Sequence, residues 1–261
     1  MSRLLRPMAT LAGLLLLWQL IVWLTGVPRY ILPAPFAVAQ TLVTRADLLL
    51  HHGGITLLEI ALGFGLGGVL GAGSAILIGF SARARRWLMP VIVVSQAIPV
   101  FALAPLLVLW LGYGLTSKVV MACLVIYFPV AVALFDGLRR TERGWIDLGR
   151  TLLAGHAAPA RTRWMLLRHI RLPAALPAFG SGLRVAAAVA PIGAVIGEWV
   201  GSSAGLGYLM LHSNARMQVD LTFAALLLLA LMAVGLYALV DVALKRLIPW
   251  QPDMHPTEET L

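Results

Sequence analysis

The sequence has little charge, one cysteine and almost no lysine. Charged residues make up 12% of the 261 residues, against about 25% in an average soluble domain. With Cys123 alone, neither an intrachain disulfide nor a cysteine metal cluster can form. The two lysines, Lys118 and Lys245, lack the Gly-Lys-Ser/Thr context of a phosphate-binding loop. We therefore expect this chain to bind no cofactor or metal and to bind no ATP through such a loop.

Hydrophobic residues, in contrast, account for 60% of the chain. They form runs that reach or approach the roughly 20 residues needed to cross a bilayer. The sequence therefore predicts an all-α membrane protein with six transmembrane helices. The predicted spans are residues 8–27, 55–80, 88–112, 117–136, 178–200 and 221–244.

These spans divide the chain into four parts. Residues 1–30 are predicted to hold the N-terminal transmembrane helix, and residues 31–54 an external, interfacial segment. A short amphipathic helix is expected after Pro35, because proline is favoured in a first helical turn. Residues 55–247 form the predicted core of five helices, including a cytoplasmic loop at 137–176. Residues 248–261 form a cytoplasmic tail.

The basic residues predict the orientation in the membrane. With the N-terminus in the cytoplasm, fifteen Lys and Arg residues fall on the inner side and four on the outer side, the bias that orients membrane proteins. Both termini are then cytoplasmic. The net charge of +9 is spread between spans rather than over one continuous surface, which indicates contact with membrane lipid and not with nucleic acid.

A polar translocation path is suggested by ionisable and kink-forming residues inside the spans. Arg184 and Glu198 are about four helical turns apart and share one face, so one could lie near each mouth of a path; ion pairs with other helices are the alternative. In the third span, Gln96, Pro99 and Phe101 lie where proline disturbs the helix. Carbonyls freed in this way are tolerated when they line a cavity.

The loop at 137–176 contains a further pattern, "PARTRWMLLRHI", which predicts a short helix starting at Pro159. One side of this helix is apolar and is flanked by arginines. The residues are Trp164, Leu167 and Ile170, with Arg161, Arg163 and Arg168 beside them. Such a helix fits the groove of a partner protein or lies on anionic lipid. Leu172 and Pro173 are expected to end it.

Three motifs resemble the permease subunit of type I binding-protein-dependent ABC importers, in the group for nitrate, sulfonates, taurine and pyrimidine precursors. They are "ILPAP" from Ile31, "GEWVGSSAGLGYLM" from Gly197, and Ile-Arg-Leu-Pro at 170–173, which matches the family's Ile-x-Leu-Pro. In that family Glu-Ala-Ala precedes the last motif. By flanking sequence Asp147, Leu148 and Gly149 take its place, with seven extra residues before Ile170.

The resemblance implies a function and partners. The cytoplasmic loop would dock on a separate ATPase subunit, which uses ATP and Mg²⁺. The assembly would contain two permease copies as a homodimer, two ATPase copies and a periplasmic or lipid-anchored solute-binding protein, in the bacterial inner membrane. The implied coupling residues are Asp147, Leu148, Gly149, Arg161, Arg163, Trp164, Leu167, Ile170, Leu172 and Pro173.

The expected cargo is a small polar solute that is imported by alternating access. Residues 185–220 look most like the branch for thiamine pyrimidine precursors such as hydroxymethylpyrimidine, while sulfonates, taurine, nitrate and riboflavin-like compounds remain open. Two other classes are a stand-alone secondary carrier using Glu59, Arg184 and Glu198, and an intramembrane protease using Ser203 of "GSSAG" with His212. The sequence around Ser203 lacks the strand-turn-helix context that the nucleophile elbow of such a protease would need.

Overall fold

The computed structural model describes residues 2–154 and 159–250, with the side chains of 2–7, 95–97 and 159–160 left aside. Within those ranges the regular structure is entirely helical, so the all-α prediction is confirmed. The helices are α1 (Ser2–Thr25), α2 (Pro35–Thr44), α3 (Ala46–Phe80), α4 (Ala82–Ala97), α5 (Val100–Leu111), α6 (Leu115–Arg139), α7 (Arg143–Leu153), α8 (Pro159–Leu166), a π-helical turn (Leu167–Arg171), α9 (Leu172–Gly201), α10 (Leu206–Ala215) and α11 (Val219–Leu247).

In the described chain, five helices are long and apolar enough to cross a membrane. They are Met8–Thr25, Ala46–Phe80, Leu115–Arg139, Arg161–Gly201 and Val219–Leu247. The third predicted span, residues 88–112, is two helices rather than one, because α4 ends at Ala97 and α5 starts at Val100. Pro99 lacks an amide hydrogen and disfavours helix at Ile98, which is extended (ψ 119°).

The helix that contains the second predicted span, residues 55–80, begins earlier than that span. The helix expected after Pro35 is confirmed as α2, but α3 already begins at Ala46. Its first turns contain the polar residues His52, which precedes the predicted span at 55–80, and Thr56, which lies at the start of that span. Both side chains are buried and accept backbone hydrogen bonds from the start of α10, so their polar atoms are satisfied inside the bundle.

The predicted helix stop at Leu172 and Pro173 is wrong. Helix α8, the π-helical turn and α9 follow one another directly from Pro159 to Gly201. Pro173 lies in the first turn of α9. The wider π-helical turn lies just before it, where an α-helical carbonyl four residues earlier would meet the proline ring. The part of the predicted cytoplasmic loop from Pro159 onward is therefore continuous with a helix long and apolar enough to cross a membrane.

Helix α6 lies at the centre of the bundle and packs closely on both α3 and α9. On the α3 side, a Cβ atom at Gly67 would lie 2.9 Å from the Cys123 carbonyl oxygen. On the α9 side, a Cβ atom at Gly193 would lie 2.7 Å from Ala122 Cα. Small residues allow helix backbones to approach in this way in membranes. Displacement of α6 must therefore move both neighbours.

Candidate functional site

The arginine proposed for a polar path forms an ion pair between two helices. Arg184 Nε donates to Asp241 Oδ1 of α11 at 2.8 Å, and Lys245 Nζ lies 2.9 Å from the other oxygen of the same carboxylate. This is the interhelical pairing left open as the alternative. It accounts for the partly buried charge of Arg184 without a pathway, and a role for this residue in translocation stays a prediction.

The carboxylate of Glu198 is enclosed at the predicted outer end of the bundle, where only 1% of the residue is exposed. Its Oε1 accepts a hydrogen bond of 2.6 Å from the hydroxyl of Thr56 on α3. Its Oε2 accepts the backbone N–H groups of Gly207 and Tyr208. Glu198 therefore holds α3, α9 and α10 together, and a role in lining a path stays a prediction.

The neighbouring N–H groups of α10 are satisfied in the same manner. Helix N-termini leave their first N–H groups without intrahelical acceptors. Gly205 N–H donates to His52 Nδ1 at 2.9 Å, and Leu206 N–H donates to Thr56 Oγ1 at 2.8 Å. Gly205 has a φ of +118°, and a Cβ atom there would overlap the Glu198 carboxyl group. This turn accordingly requires glycine.

A buried ion pair lies next to these side chains, which together cap the N-terminus of α10. Lys118 Nζ donates to Glu59 Oε1 at 2.8 Å, and Glu59 Oε2 has no hydrogen-bond partner among the described residues. Lys118 lies in the first turn of α6, and Gly197 of α9 packs against it. We call the five buried side chains here the outer polar cluster. Its members are His52, Thr56, Glu59, Lys118 and Glu198.

At the opposite end, α7 presents an apolar stripe to solvent. Trp145, Leu148 and Leu152 are 59%, 51% and 69% exposed, and their i, i+3, i+7 spacing places them on one face. Sequence reasoning selected only Leu148 of the three, although the spacing alone carries the signal. Asp147, on the same helix, forms an exposed pair with Arg150 at 3.2 Å.

Helix α8 and the π-helical turn do not present the apolar side that was predicted. Leu167 is 3% exposed and belongs to the core, and the Ile170 side chain packs directly against Gly149 of α7. Only Trp164 is half exposed, with its ring edge-on to Phe80 at 6.3 Å. The exposed aromatic side chain that was expected is thus present at Trp164, whereas Leu167 and Ile170 pack inward, so the three residues do not form one exposed apolar side.

The other predicted coupling residues divide between solvent and core. Arg161 and Arg163 are exposed, as expected for flanking charges. Leu172 packs against the core beside Leu167, and Pro173 is half-buried. Of the residues considered in α7 and α8, the α7 stripe, Trp164, Arg161 and Arg163 are thus the exposed ones.

Arg171, between these elements, was not selected from the sequence. Its Nη2 and Nε donate to the Leu138 carbonyl at 2.9 and 3.3 Å, and its Nη1 donates to the Gly79 carbonyl at 3.2 Å. These carbonyls lie at the C-terminal ends of α6 and α3. One guanidinium thus caps two membrane helices.

An open groove follows the seam between α6 and α9. A cavity of about 640 Å³ lies among α5, α6 and α9, and Phe101 lines it. A second cavity of about 670 Å³ continues toward α7, between Gly137 and Trp145. Pro99 is exposed at the break before α5. The side chain of Gln96, the remaining predicted path residue, lies outside the described residues.

The model of the family described as "Binding-protein-dependent transport system inner membrane component" matches residues 67–251. The chain belongs to this family. It is 56% identical to a probable ABC transporter permease protein of Haemophilus influenzae, over 94% of this chain and 98% of the relative. It is 34% identical to the formylaminopyrimidine transport permease protein ThiX of Halalkalibacterium halodurans, over 95% and 96% of the two chains.

A solved structure shows the same fold. The inward-facing MetNI methionine ABC transporter superposes with a TM-score of 0.63 at 20% identity, over 79% of this chain and 97% of the matched one. The resemblance drawn from the motifs is thereby confirmed. This chain is a multi-pass ABC importer permease of the inner membrane, a transport subunit rather than an enzyme, and ATP hydrolysis belongs to a separate subunit.

Membership of this family excludes the two alternative functions considered from the sequence, a stand-alone secondary carrier and an intramembrane protease. The geometry of "GSSAG" agrees with this outcome. Ser203 lies exposed in the turn before α10, while His212 Nδ1 hydrogen-bonds the Tyr208 carbonyl at 3.0 Å. Of the two glycines of the motif, Gly205 lies in the turn that begins α10, and Gly201 packs against Val108 of α5.

Proposed function

We propose that this permease imports a pyrimidine precursor of the hydroxymethylpyrimidine or formylaminopyrimidine class. The observation that carries the proposal is the 34% identity with ThiX along nearly the whole of both chains. A periplasmic or lipid-anchored binding protein delivers the solute, two permease copies pair as a homodimer, and alternating access releases the solute into the cytoplasm.

The wall of the α5–α6–α9 groove favours a neutral heterocycle over an anion. The described residues that line this cavity include no charged side chain, and Ser181 is the one hydroxyl among them. A sulfonate, taurine or nitrate group would need paired charges or many donors in such surroundings. A second permease copy placed over the open seam would enclose the groove and complete the path.

Competition for uptake tests the substrate class. In proteoliposomes containing permease, ATPase and binding protein, unlabelled hydroxymethylpyrimidine or formylaminopyrimidine is expected to block ATP-dependent uptake of labelled pyrimidine precursor. Taurine, an alkanesulfonate and nitrate at equal concentration serve as controls and should leave uptake unchanged. Uptake of labelled taurine or sulfonate, with none of labelled pyrimidine, would overturn the proposal.

The exposed α7 stripe is the proposed contact with the ATPase. Together with Trp164, it offers apolar and aromatic side chains on a short helix, the form of anchor that enters a groove on a partner. ATP and Mg²⁺ are then bound by the ATPase, and this chain holds no cofactor of its own.

Substituting the stripe should separate the two subunits. Leu152→Glu places a charge in the apolar contact and is expected to lower copurifying ATPase by about tenfold or more, the size of a hot-spot loss. Val43→Glu is the control, because Val43 is 78% exposed in α2 at the predicted outer end. If the two variants recover equal amounts of ATPase, α7 is not part of the interface with the ATPase.

A further inference from the structure

We propose that Arg171 transmits displacement of the coupling segment to α3 and α6, acting as a positioning residue for transport. The inference rests on the proposed ATPase contact of α7. It begins with the ends of two helices, since α3 ends at Phe80 and α6 at Arg139. The last carbonyls of a helix lack intrahelical donors, and a cation is stabilised beside them.

Arg171 supplies donors to both ends at once. The guanidinium is a planar fork with five N–H groups, and three of its nitrogens contact the Leu138 and Gly79 carbonyls at 2.9–3.3 Å. Lysine carries a single ammonium, so it cannot reproduce this fork. The two helix ends are therefore held in register by one side chain that belongs to neither helix.

The π-helical turn connects this clamp to the coupling segment. Arg171 is the last residue of the turn, Leu167 is the first, and Leu167 packs in the core cluster that contains Leu138. Between them, Ile170 packs tightly on Gly149 of α7. A push on α7 thus reaches Ile170 and, one residue later, the clamp. π-Helical turns are frequent at functional sites.

The clamp acts on the helix that shapes the groove. Helix α6 packs on α3 and α9 through close backbone contacts, and its Pro129 and Ala133 line the α5–α6–α9 cavity. A shift at Leu138 is therefore carried along a rigid helix to the groove wall. Coupling through a discrete, hydrogen-bonded element of this kind fits transmission between distant sites.

Uptake per ATP hydrolysed tests this role. Arg171→Gln, in the reconstituted complex with ATPase and binding protein, is expected to keep ATPase binding and hydrolysis while solute moved per ATP falls about tenfold, the effect of one charge-assisted hydrogen bond on an equilibrium. Arg171→Lys should recover part of the ratio. Arg246→Gln, at an exposed arginine in the last turn of α11 and outside the proposed ATPase contact, should leave the ratio unchanged.

The outcomes separate this inference from the proposed function. An unchanged ratio of solute moved to ATP hydrolysed in Arg171→Gln would show that Arg171 only caps the two helices. The same conclusion would follow if hydrolysis and uptake fell in proportion and the melting temperature fell with them. A permease with its natural sequence that fails to bind the ATPase would instead overturn the proposed coupling. The Arg171→Lys variant keeps the test decisive if Arg171→Gln does not fold.

Discussion

Replacing Glu198 with alanine is expected to remove most of the folded permease. The N–H groups of Gly207 and Tyr208 and the hydroxyl of Thr56 would lose their shared acceptor. Each buried polar group left unsatisfied costs about 1–3 kcal/mol, and the total stability of a protein is about 5–15 kcal/mol. A large fall in the melting temperature of the detergent-purified protein measures the effect.

Glu198→Gln is the matched variant, because its amide oxygen still accepts hydrogen bonds from the start of α10. We expect Glu198→Gln to melt well above Glu198→Ala and to assemble normally. If its uptake is nonetheless altered, the prediction that Glu198 borders a path gains support. Equal melting temperatures for Glu198→Ala and the natural sequence would show that the hydrogen bonds from Glu198 to the start of α10 do not stabilise the fold.

The fold class and the family could be predicted because their signals are local in the sequence. Hydropathy identified the long apolar helices, and Pro35 marked the start of α2 correctly. The Ile-Arg-Leu-Pro motif identified the family that the comparisons then confirmed. Each of these patterns depends on residues within about one helix length, so no tertiary contact was needed.

The candidate sites depend on contacts that local patterns do not contain. Thr56 and Glu198 are 142 residues apart, and Arg171 reaches Gly79 across 92 residues. Spacing on one helix placed Glu198 and Arg184 on a common face, whereas their partners on other helices decide their observed contacts. The π-helical turn similarly has no periodic signal in the sequence, and Leu167, its first residue, lies in the core.

Lys118→Met is expected to be as damaging as the loss of Glu198. It leaves the Glu59 carboxylate, which is fully buried, without its ammonium partner. Breaking a buried ion pair from one side costs about 3–5 kcal/mol, and an unpaired charge within a membrane span adds to the penalty. The melting temperature of the purified variant and its yield in the membrane measure the loss.

A second substitution should repair part of this damage. With Lys118→Met in place, Glu59→Gln removes the uncompensated charge, so the double variant is expected to melt above the Lys118→Met single variant, a non-additive result. Lys245→Met is the control, because Lys245 is half exposed and Asp241 keeps Arg184 as a partner; exposed pairs contribute about 0–1 kcal/mol. Strictly additive losses across the Glu59–Lys118 cycle would show that the buried pair is not the source of the stability, and that α3 and α6 are held by their glycine contacts alone.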